Sequence, residues 1–347
     1  MLKKQDIVIV TCSYDRKKNT DTNTIDFTWE INMNLSDNSS PFVLIGDVHI
    51  GRKFRSRDIP LEMKGVREEV LLAQFNRKVE KAIETCREKN KEGVIILGDL
   101  FDSFCVSYDD LINVYNVIVN FPYNYCPCYI IKGNHDQSKD KERISAFDIL
   151  KRLCKNYDNL RFIEEPRFIG EHLLVPYYSS EELPQVLTNY NHRGYTIYGH
   201  FEEADLKWLK LCYQQVFSGH IHSPRQEGNL TVVGSIMPLT FAEDPTNTFM
   251  RTCTLAEYEY DLSLGISKGR CYRLKLQEGE ELPSRPICLQ MSKYIEPKET
   301  KEEIDLNVDF EPFDIEKLMH EALDNLNLYE EVYNQYLENK MSEAENV

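Results

Sequence analysis

Six segments of this 347-residue chain share one pattern, a short run of apolar residues that leads into a glycine and then a polar side chain. In chain order they read FVLIGD, GVIILGD, CYIIKGNHD, YTIYGH, QQVFSGH and LTVVGS. Continuous runs of this kind are typical of strands that are buried on both faces. Apolar residues at helical spacing separate several of them, from Val70 to Cys86 and from Leu111 to Ile118. The alternation predicts an α/β domain with a largely parallel or mixed sheet, in which ligands gather beyond the carboxyl ends of the strands.

Polar motifs stand at five of these strand ends: GDVH (46–49), GDLFD (98–102), GNHD (133–136), GH (199–200) and GHIH (219–222). They contain five of the eight histidines in the chain. Asp47 and His49, like His220 and His222, are two residues apart, so in extended backbone both members of each pair point the same way. Turn chemistry explains one Gly-Asp or Gly-His, but it does not explain five such motifs at strand ends.

The mixture of ligand types predicts a site for divalent metal ions. Carboxylates, imidazoles and one carboxamide favour borderline divalent ions such as Mn²⁺, Fe²⁺ or Zn²⁺, with Mg²⁺ as a further alternative, over a thiolate zinc site or an all-oxygen calcium site. An aspartate that bridges two ions about 3.5–4 Å apart forms a clamp for in-line attack on phosphorus. A histidine outside the coordination sphere can then protonate the leaving alkoxide.

The motif set resembles that of the calcineurin-like metallophosphoesterases, D-x-H, G-D, G-N-H-[DE], H and G-H-x-H, over roughly residues 42–250. The resemblance implies a sandwich of two mixed β-sheets flanked by helices, with a small capping module. It also implies roles for individual residues. One metal ion would be held by Asp47, His49, Asp99 and His222. The other would be held by Asp99, Asn134, His200 and His220, so that Asp99 bridges, while Asp136 would orient the catalytic acid His135.

Within this family the chain looks most similar to the SbcD-type nuclease subunits of DNA repair and recombination, especially the phage recombination endonuclease subunit. The shared features are GDVHIGR, GDLFDS, GSIMPLTFAED and an acidic helical tail. This resemblance implies Mn²⁺-dependent cleavage of DNA phosphodiesters, a homodimer and an SbcC-like coiled-coil ATPase partner. The metal motifs alone also fit a phosphoesterase for small phosphoesters or cyclic nucleotides. A regulatory scaffold with a silent site ranks lowest, since every expected ligand position is filled.

The chain divides into four predicted parts. They are an N-terminal extension with two strand-like runs that predict a hairpin (1–40), the nuclease domain (41–252), a capping module (253–300) and a tail (301–347). Alternating residues in TLAEYEYDLS (254–263) and GRCYRLKLQ (269–277) predict a β-rich module. Residues 314–340 predict amphipathic helices, which either pack as a terminal hairpin or dock on the ATPase. Their two apolar stripes favour docking.

Two further features near the motifs leave their roles open. Arg52, Lys53, Arg55 and Arg57 follow the first motif directly and either contact a phosphate backbone or form a solvated loop. Asp102 closes the second motif, and we expect it to act behind the metal ligands or in the structure instead of in catalysis.

The net charge of −16 argues at first against a nucleic-acid enzyme. Residues 301–347, however, hold 14 acidic and 3 basic side chains, so the other 300 residues carry a net charge of only −5. No apolar run approaches the roughly 18–20 residues of a membrane span, and the first residues do not read as a signal peptide. We therefore expect a cytoplasmic protein, or one of the host cytoplasm if viral, whose ten cysteines are reduced thiols.

Overall fold

The computed structural model describes residues 40–53, 64–122, 125–138, 143–190 and 194–295. The predicted N-terminal hairpin, Arg55, Arg57 and the acidic tail lie outside the described residues. The ATPase partner that the tail would bind therefore stays a prediction. Within the described ranges, no helix is both long and apolar enough to cross a membrane.

The first sheet contains four strands in the order β1-β2-β3-β4, all parallel. Three helices connect them, so the predicted alternation of strand and helix is confirmed. In chain order the elements are β1 Phe42–Ile45, α1 Lys64–Lys89, β2 Gly93–Ile96, α2 Tyr108–Ile118, β3 Cys128–Ile131, α3 Ala146–Leu153 and β4 Leu160–Ile163. The helices pack against one face of this sheet, where Phe75, Val114 and Phe147 are fully buried.

The second sheet contains six strands in the order β5-β6-β7-β8-β10-β9. Its central pairs are parallel, and the two edge pairs, β5 with β6 and β9 with β10, are antiparallel. The elements are β5 Arg167–Ile169, β6 His172–Val175, α4 Leu183–Leu187, β7 Thr196–Gly199, α5 Glu203–Cys212, β8 Gln215–Ser218, β9 Arg225–Glu227 and β10 Leu230–Val232. Buried residues of α4 and α5, such as Leu187 and Leu209, pack on one face of this sheet.

The two sheets pack face to face through a core of large side chains. Phe42 and Tyr129 from the first sheet meet Tyr198 from the second, and Tyr198 stacks on Phe217 with ring centroids 4.9 Å apart. The hydroxyl group of Tyr198 lies 3.1 Å from that of Ser40, so its polar end is hydrogen-bonded. The predicted sandwich of sheets and helices is confirmed. In detail, the described strands of the first sheet are all parallel, and only the second sheet is mixed.

A third, parallel sheet consists of β11 Met250–Thr254, β12 Cys271–Lys275 and β13 Gln290–Lys293. The strand expected in GRCYRLKLQ is confirmed as β12. The strand expected in TLAEYEYDLS is wrong, because this segment forms the helix α6 Leu255–Ser263. Thr254 accepts the backbone N–H of Glu257, whose side chain accepts that of Thr254 in return. This reciprocal capping box begins a helix where the alternation of tyrosines suggested a strand.

Candidate metal centre

The predicted ligands follow the carboxyl ends of strands in both sheets, and the sandwich brings these ends together. Asp47 follows β1, Asp99 follows β2 and Asn134 follows β3, while His200 and His220 follow β7 and β8 of the second sheet. Although far apart in sequence, these side chains contact one another. The structure thus brings these polar motifs together at one place.

Three site residues have left-handed backbone, His49 with φ 55°, Asp99 with φ 45° and His220 with φ 70°. Such values are uncommon for residues other than glycine and occur where the surrounding structure holds a strained conformation. The expectation that each i, i+2 pair points one way in extended backbone is therefore wrong. His220 turns toward His200, whereas His222 turns toward His49. His220 and His222 thus belong to two neighbouring groups of ligands.

We name the first group the His200 cluster, which comprises Asp99, Asn134, His200 and His220. The Nε2 atom of His200 lies 2.8 Å from Asn134 Oδ1, 3.2 Å from Asp99 Oδ2 and 3.2 Å from His220 Nδ1. His220 Nδ1 lies 3.0 Å from the same Asn134 oxygen. Four potential ligand atoms therefore surround one small space, as the resemblance implies for the second metal ion.

Hydrogen bonding behind His200 shows that a cation fits this cluster. The Nδ1 atom of His200 donates to the carbonyl oxygen of Leu97 at 2.8 Å. In the neutral ring the Nε2 lone pair then faces Asp99 Oδ2 and Asn134 Oδ1, which are acceptors as well. Acceptors held this close need a proton or a metal ion between them. The buried donor set of imidazoles, carboxylate and carboxamide fits a divalent ion.

The second group, the His49 cluster, comprises His49, His222 and the shared Asp99. The Nε2 atoms of the two histidines lie 3.1 Å apart, and Asp99 Oδ2 lies 3.6 Å from His49 Nε2. The same carboxylate oxygen lies 3.2 Å from His200 Nε2 in the other cluster. Asp99 is therefore placed between the two clusters, in the bridging position that the resemblance implies.

Asp47 provides a second sign that the site fits a metal ion. Its side chain is fully buried, and Oδ1 accepts the backbone N–H of His220 at 3.0 Å and lies 3.3 Å from His200 Nδ1. Among the described residues, no donor reaches its other oxygen, Oδ2. A buried carboxylate oxygen without a partner is costly, and coordination of a cation would satisfy it.

The pKa values of the ligand residues are shifted because carboxylates and imidazoles are buried close together in this site. Burial opposes charge on His200, but the carboxylates of Asp99 and Asp47 outweigh it and raise the pKa of His200 to about 9. Burial and the neighbouring charge of His200 lower the pKa of His220 to about 4. Burial raises the pKa of the Asp47 carboxyl group, whereas for Asp99 the adjacent histidines overcome burial and lower the pKa. The carboxylates thus favour positive charge at His200, as they would favour a bound cation.

His135 lies beside the His49 cluster and is half-buried. Its ring centroid is 5.0 Å from that of His49, and its Nδ1 atom donates to the carbonyl oxygen of Asp102 at 2.7 Å. Nε2 is thereby left as the atom that can hold a proton for a leaving group. Ligand atoms of His49, Asp102 and His135 also lie within 4.8 Å of one another. Geometry alone therefore permits His135 to be either an acid or a ligand.

Asp136 does not make the hydrogen bond that was expected to orient His135. Its buried carboxylate accepts backbone N–H groups instead, from Leu100 at 3.2 Å, Phe101 at 2.9 Å and Gly133 at 2.9 Å. Burial and the charge of Asp99 raise the pKa of Asp136 to about 6. Asp136 therefore joins the loops after β2 and β3, and the carbonyl group of Asp102 orients the His135 ring.

Asp102 contacts the Nδ1 side of the His49 ring. One of its carboxylate oxygens lies 3.2 Å from His49 Nδ1 and accepts a hydrogen bond from Arg52 at 3.2 Å. Burial opposes the charge of Asp102, but these two neighbours lower its pKa. Of the basic loop, Arg52 thus reaches the edge of the metal centre, and Lys53 is exposed.

Sequence reasoning missed two residues at the site. The ring of Tyr177 lies 6.0 Å from that of His200 and 5.9 Å from that of His220, and its hydroxyl group donates to Glu202 at 2.5 Å. Glu243 Oε1 lies 3.2 Å from His222 Nδ1. Glu243 belongs to GSIMPLTFAED, so this segment carried a signal, but neither residue stands in a ligand motif.

A family model described as calcineurin-like phosphoesterase matches residues 40–231. The chain belongs to this family. It is a metal-dependent hydrolase that acts on phosphoester bonds. No curated protein matches the chain. Divalent ions held by the two clusters would supply positive charge for the phosphoryl oxygens and acidify a bound water. The chain itself fixes the ligands through Leu97, Asp102 and the strand ends.

Close packing at Gly98 gives a test of this geometry. Gly98 has φ 105°, and a Cβ atom there would lie 2.3 Å from His200 Nδ1, which is held by Leu97. We expect Gly98→Ala to displace His200 and to lose metal ions, as measured by elemental analysis after reconstitution with Mn²⁺. Gly170 is the control, since its φ is 58° and no atom lies within 4 Å of the added methyl group. Gly170→Ala should cost about 1–2 kcal/mol of stability and keep its metal. Full metal content in folded Gly98→Ala would contradict the assignment.

The shared position of Asp99 predicts that one substitution disturbs both ions. Native protein reconstituted with Mn²⁺ should contain close to two ions per chain, and Asp99→Ala should contain clearly fewer, because both clusters lose a ligand. Asp109, exposed in the first turn of α2, provides the matched control, and Asp109→Ala should retain both ions. Isothermal titration with Mn²⁺ would measure the two affinities. Unchanged occupancy in Asp99→Ala would show that this carboxylate does not bridge.

Proposed function

We propose that the chain is an SbcD-type DNA nuclease subunit that hydrolyses phosphodiester bonds with two divalent ions, Mn²⁺ foremost. The observation that carries the proposal is the position of GSIMPLTFAED, the segment in which the chain is most similar to that branch. Ser235 donates its N–H to the carbonyl oxygen of His222, and Ile236 donates to that of Asp47. Glu243 contacts the His222 ring. The segment that distinguishes the branch is thus built into the metal centre.

Arg52, at the edge of the site, supports a polyanionic substrate. Arg52 is partly exposed beside Asp102 and His49, where it can meet a phosphate group next to the scissile one. The excess negative charge is concentrated in residues 301–347, so it does not argue against DNA at the phosphoesterase domain. In this proposal His135 is the general acid, because its Nε2 atom is free to protonate the leaving oxygen while Asp102 holds Nδ1.

The role of His135 separates chemistry from metal binding. We expect His135→Ala to retain both ions and to bind DNA, yet to cleave it about 10²–10⁴-fold more slowly, since only the acid is lost. The measurement is Mn²⁺-dependent degradation of DNA, with metal content determined on the same samples. His172 packs against Phe42 and Tyr198 away from the site, so His172→Gln should cleave at the native rate.

Other outcomes of the same assay would overturn parts of the proposal. Loss of metal in His135→Ala would make this residue a ligand. Hydrolysis of an aryl phosphate diester without any cleavage of DNA would favour the phosphoesterase of small phosphoesters or cyclic nucleotides. Two bound ions without turnover of either substrate would favour the regulatory scaffold.

We also propose that two copies of the chain pair through α2 and α3. These neighbouring helices expose apolar side chains, Tyr108 and Ile112 on α2, Ile149 and Leu153 on α3. The surface also carries both charges, with acidic residues in the first turn of α2 and basic residues in the last turn of α3. A twofold interface must be self-complementary, and exposed apolar side chains together with residues of both charges are compatible with that requirement.

Charged substitutions in this surface provide the test. We expect Ile112→Glu with Leu153→Glu to shift the protein from dimer to monomer in sedimentation equilibrium, because two carboxylates on each copy would enter the apolar contact. Metal content should not change. Leu211 on α5 is 75% exposed and lies outside the surface, so Leu211→Glu should leave the dimer intact. A native protein that sediments as a monomer would refute this part of the proposal.

A further inference from the structure

The carboxylate of Glu243 reaches His222 from the side opposite the ligand cluster. Its Oε1 atom lies 3.2 Å from His222 Nδ1, whereas His222 Nε2 lies 3.1 Å from His49 Nε2. Glu243 comes from the segment between β10 and β11, beyond the residues 40–231 that match the family model. A residue outside that match therefore contacts a histidine of the metal centre.

The contact decides which nitrogen of His222 carries the proton. A carboxylate only accepts hydrogen bonds, so Nδ1 of His222 must donate to Glu243. In the neutral ring the lone pair then lies on Nε2, which faces His49 and the space for a metal ion. The carbonyl oxygen of Leu97 has the same effect on His200 in the other cluster. Histidine ligands of metal sites are commonly oriented by such an acceptor on the second nitrogen.

Glu243 itself is held in a fixed position. Its Oε2 atom accepts the backbone N–H of Leu239 at 2.8 Å, and Oε1 accepts the hydroxyl group of Thr240 at 2.8 Å. The side chain of Glu243 is only 14% exposed. A carboxylate with three partners on two oxygens has little freedom to rotate away from the His222 ring.

The segment that carries Glu243 is anchored at both ends. Near its start, Ser235 N–H donates to the carbonyl oxygen of His222 at 3.1 Å. At its end, the neighbouring Asp244 accepts backbone N–H groups from Thr248, Phe249 and Met250 as β11 begins. The backbone of Glu243 is thus fixed to both the metal centre and the third sheet.

We propose that Glu243 is a positioning residue that holds His222 in the Nδ1–H tautomer and presents Nε2 to the metal ion of the His49 cluster. The inference rests on the metal centre and not on DNA as the substrate. Its tests measure metal affinity and the ring tautomer, so the failure of the nuclease proposal would leave them unaffected.

Metal affinity gives the first test. In calorimetric titration with Mn²⁺, Glu243→Ala should weaken one of the two ions about 10–100-fold and leave the other near its native affinity. Thr246→Val is the matched control, because it removes a hydrogen bond to the neighbouring Asp244 in the same segment but none of the contacts of Glu243. It should bind both ions nearly as the native protein does. Equal weakening in Thr246→Val and Glu243→Ala would show that the effect comes from the segment and not from the contact of Glu243 with His222, and would overturn the proposal.

The tautomer gives a second test that needs no metal. Nitrogen-15 spectra of the histidine rings in metal-free protein, at alkaline pH where the ring is neutral, should show His222 protonated on Nδ1. Glu243→Ala should lose this preference, whereas Thr246→Val should keep it. If Glu243→Ala fails to fold, Glu243→Met replaces it, since methionine keeps about the length of the side chain but has no oxygen to accept from His222 Nδ1. An unchanged His222 tautomer in a folded variant would refute the proposal.

Discussion

The carboxylate of Asp99 is the interaction on which the rest of the metal centre depends. One oxygen faces histidines of both ligand clusters, and the other accepts the backbone N–H of His135. A carboxylate buried this deeply is costly unless cations or donors surround it. The site meets this requirement with imidazoles from both sheets and with the loop after β3. Strained backbone at Asp99, with φ 45°, is part of the same arrangement.

Much of the fold could be predicted from the sequence because strands buried on both faces leave a plain signal. Runs such as VLI and VIIL lead into a glycine just beyond the ends of β1 and β2. The third sheet was harder to predict, since Tyr258 and Tyr260 alternate with charged residues as they would in a strand. The capping box of Thr254 and Glu257 begins a helix at this position. The helix is recognised from these local hydrogen bonds and not from the apolar pattern.

For the site, the sequence identified which residues meet but not how they are held. The ligand motifs name Asp47, Asn134 and their partners, and the structure brings these side chains together. No pattern shows that Asp136 bonds to backbone or that a carbonyl group orients His135. Backbone acceptors have no sequence signature, so the hydrogen bonds that hold the site residues are visible only in the folded structure. Glu243 shares that limit, because 21 residues separate it from His222.

The large sequence separation within the site has a consequence for synthesis of the chain. His49 meets His222, and Asp47 meets His220, across 173 residues in each case. Closing such long loops is entropically costly and comes late in folding. Both ligand clusters depend on the single segment GHIH, so a growing chain cannot complete either one until that segment has been made. A chain that ends before residue 220 therefore lacks a histidine of each cluster.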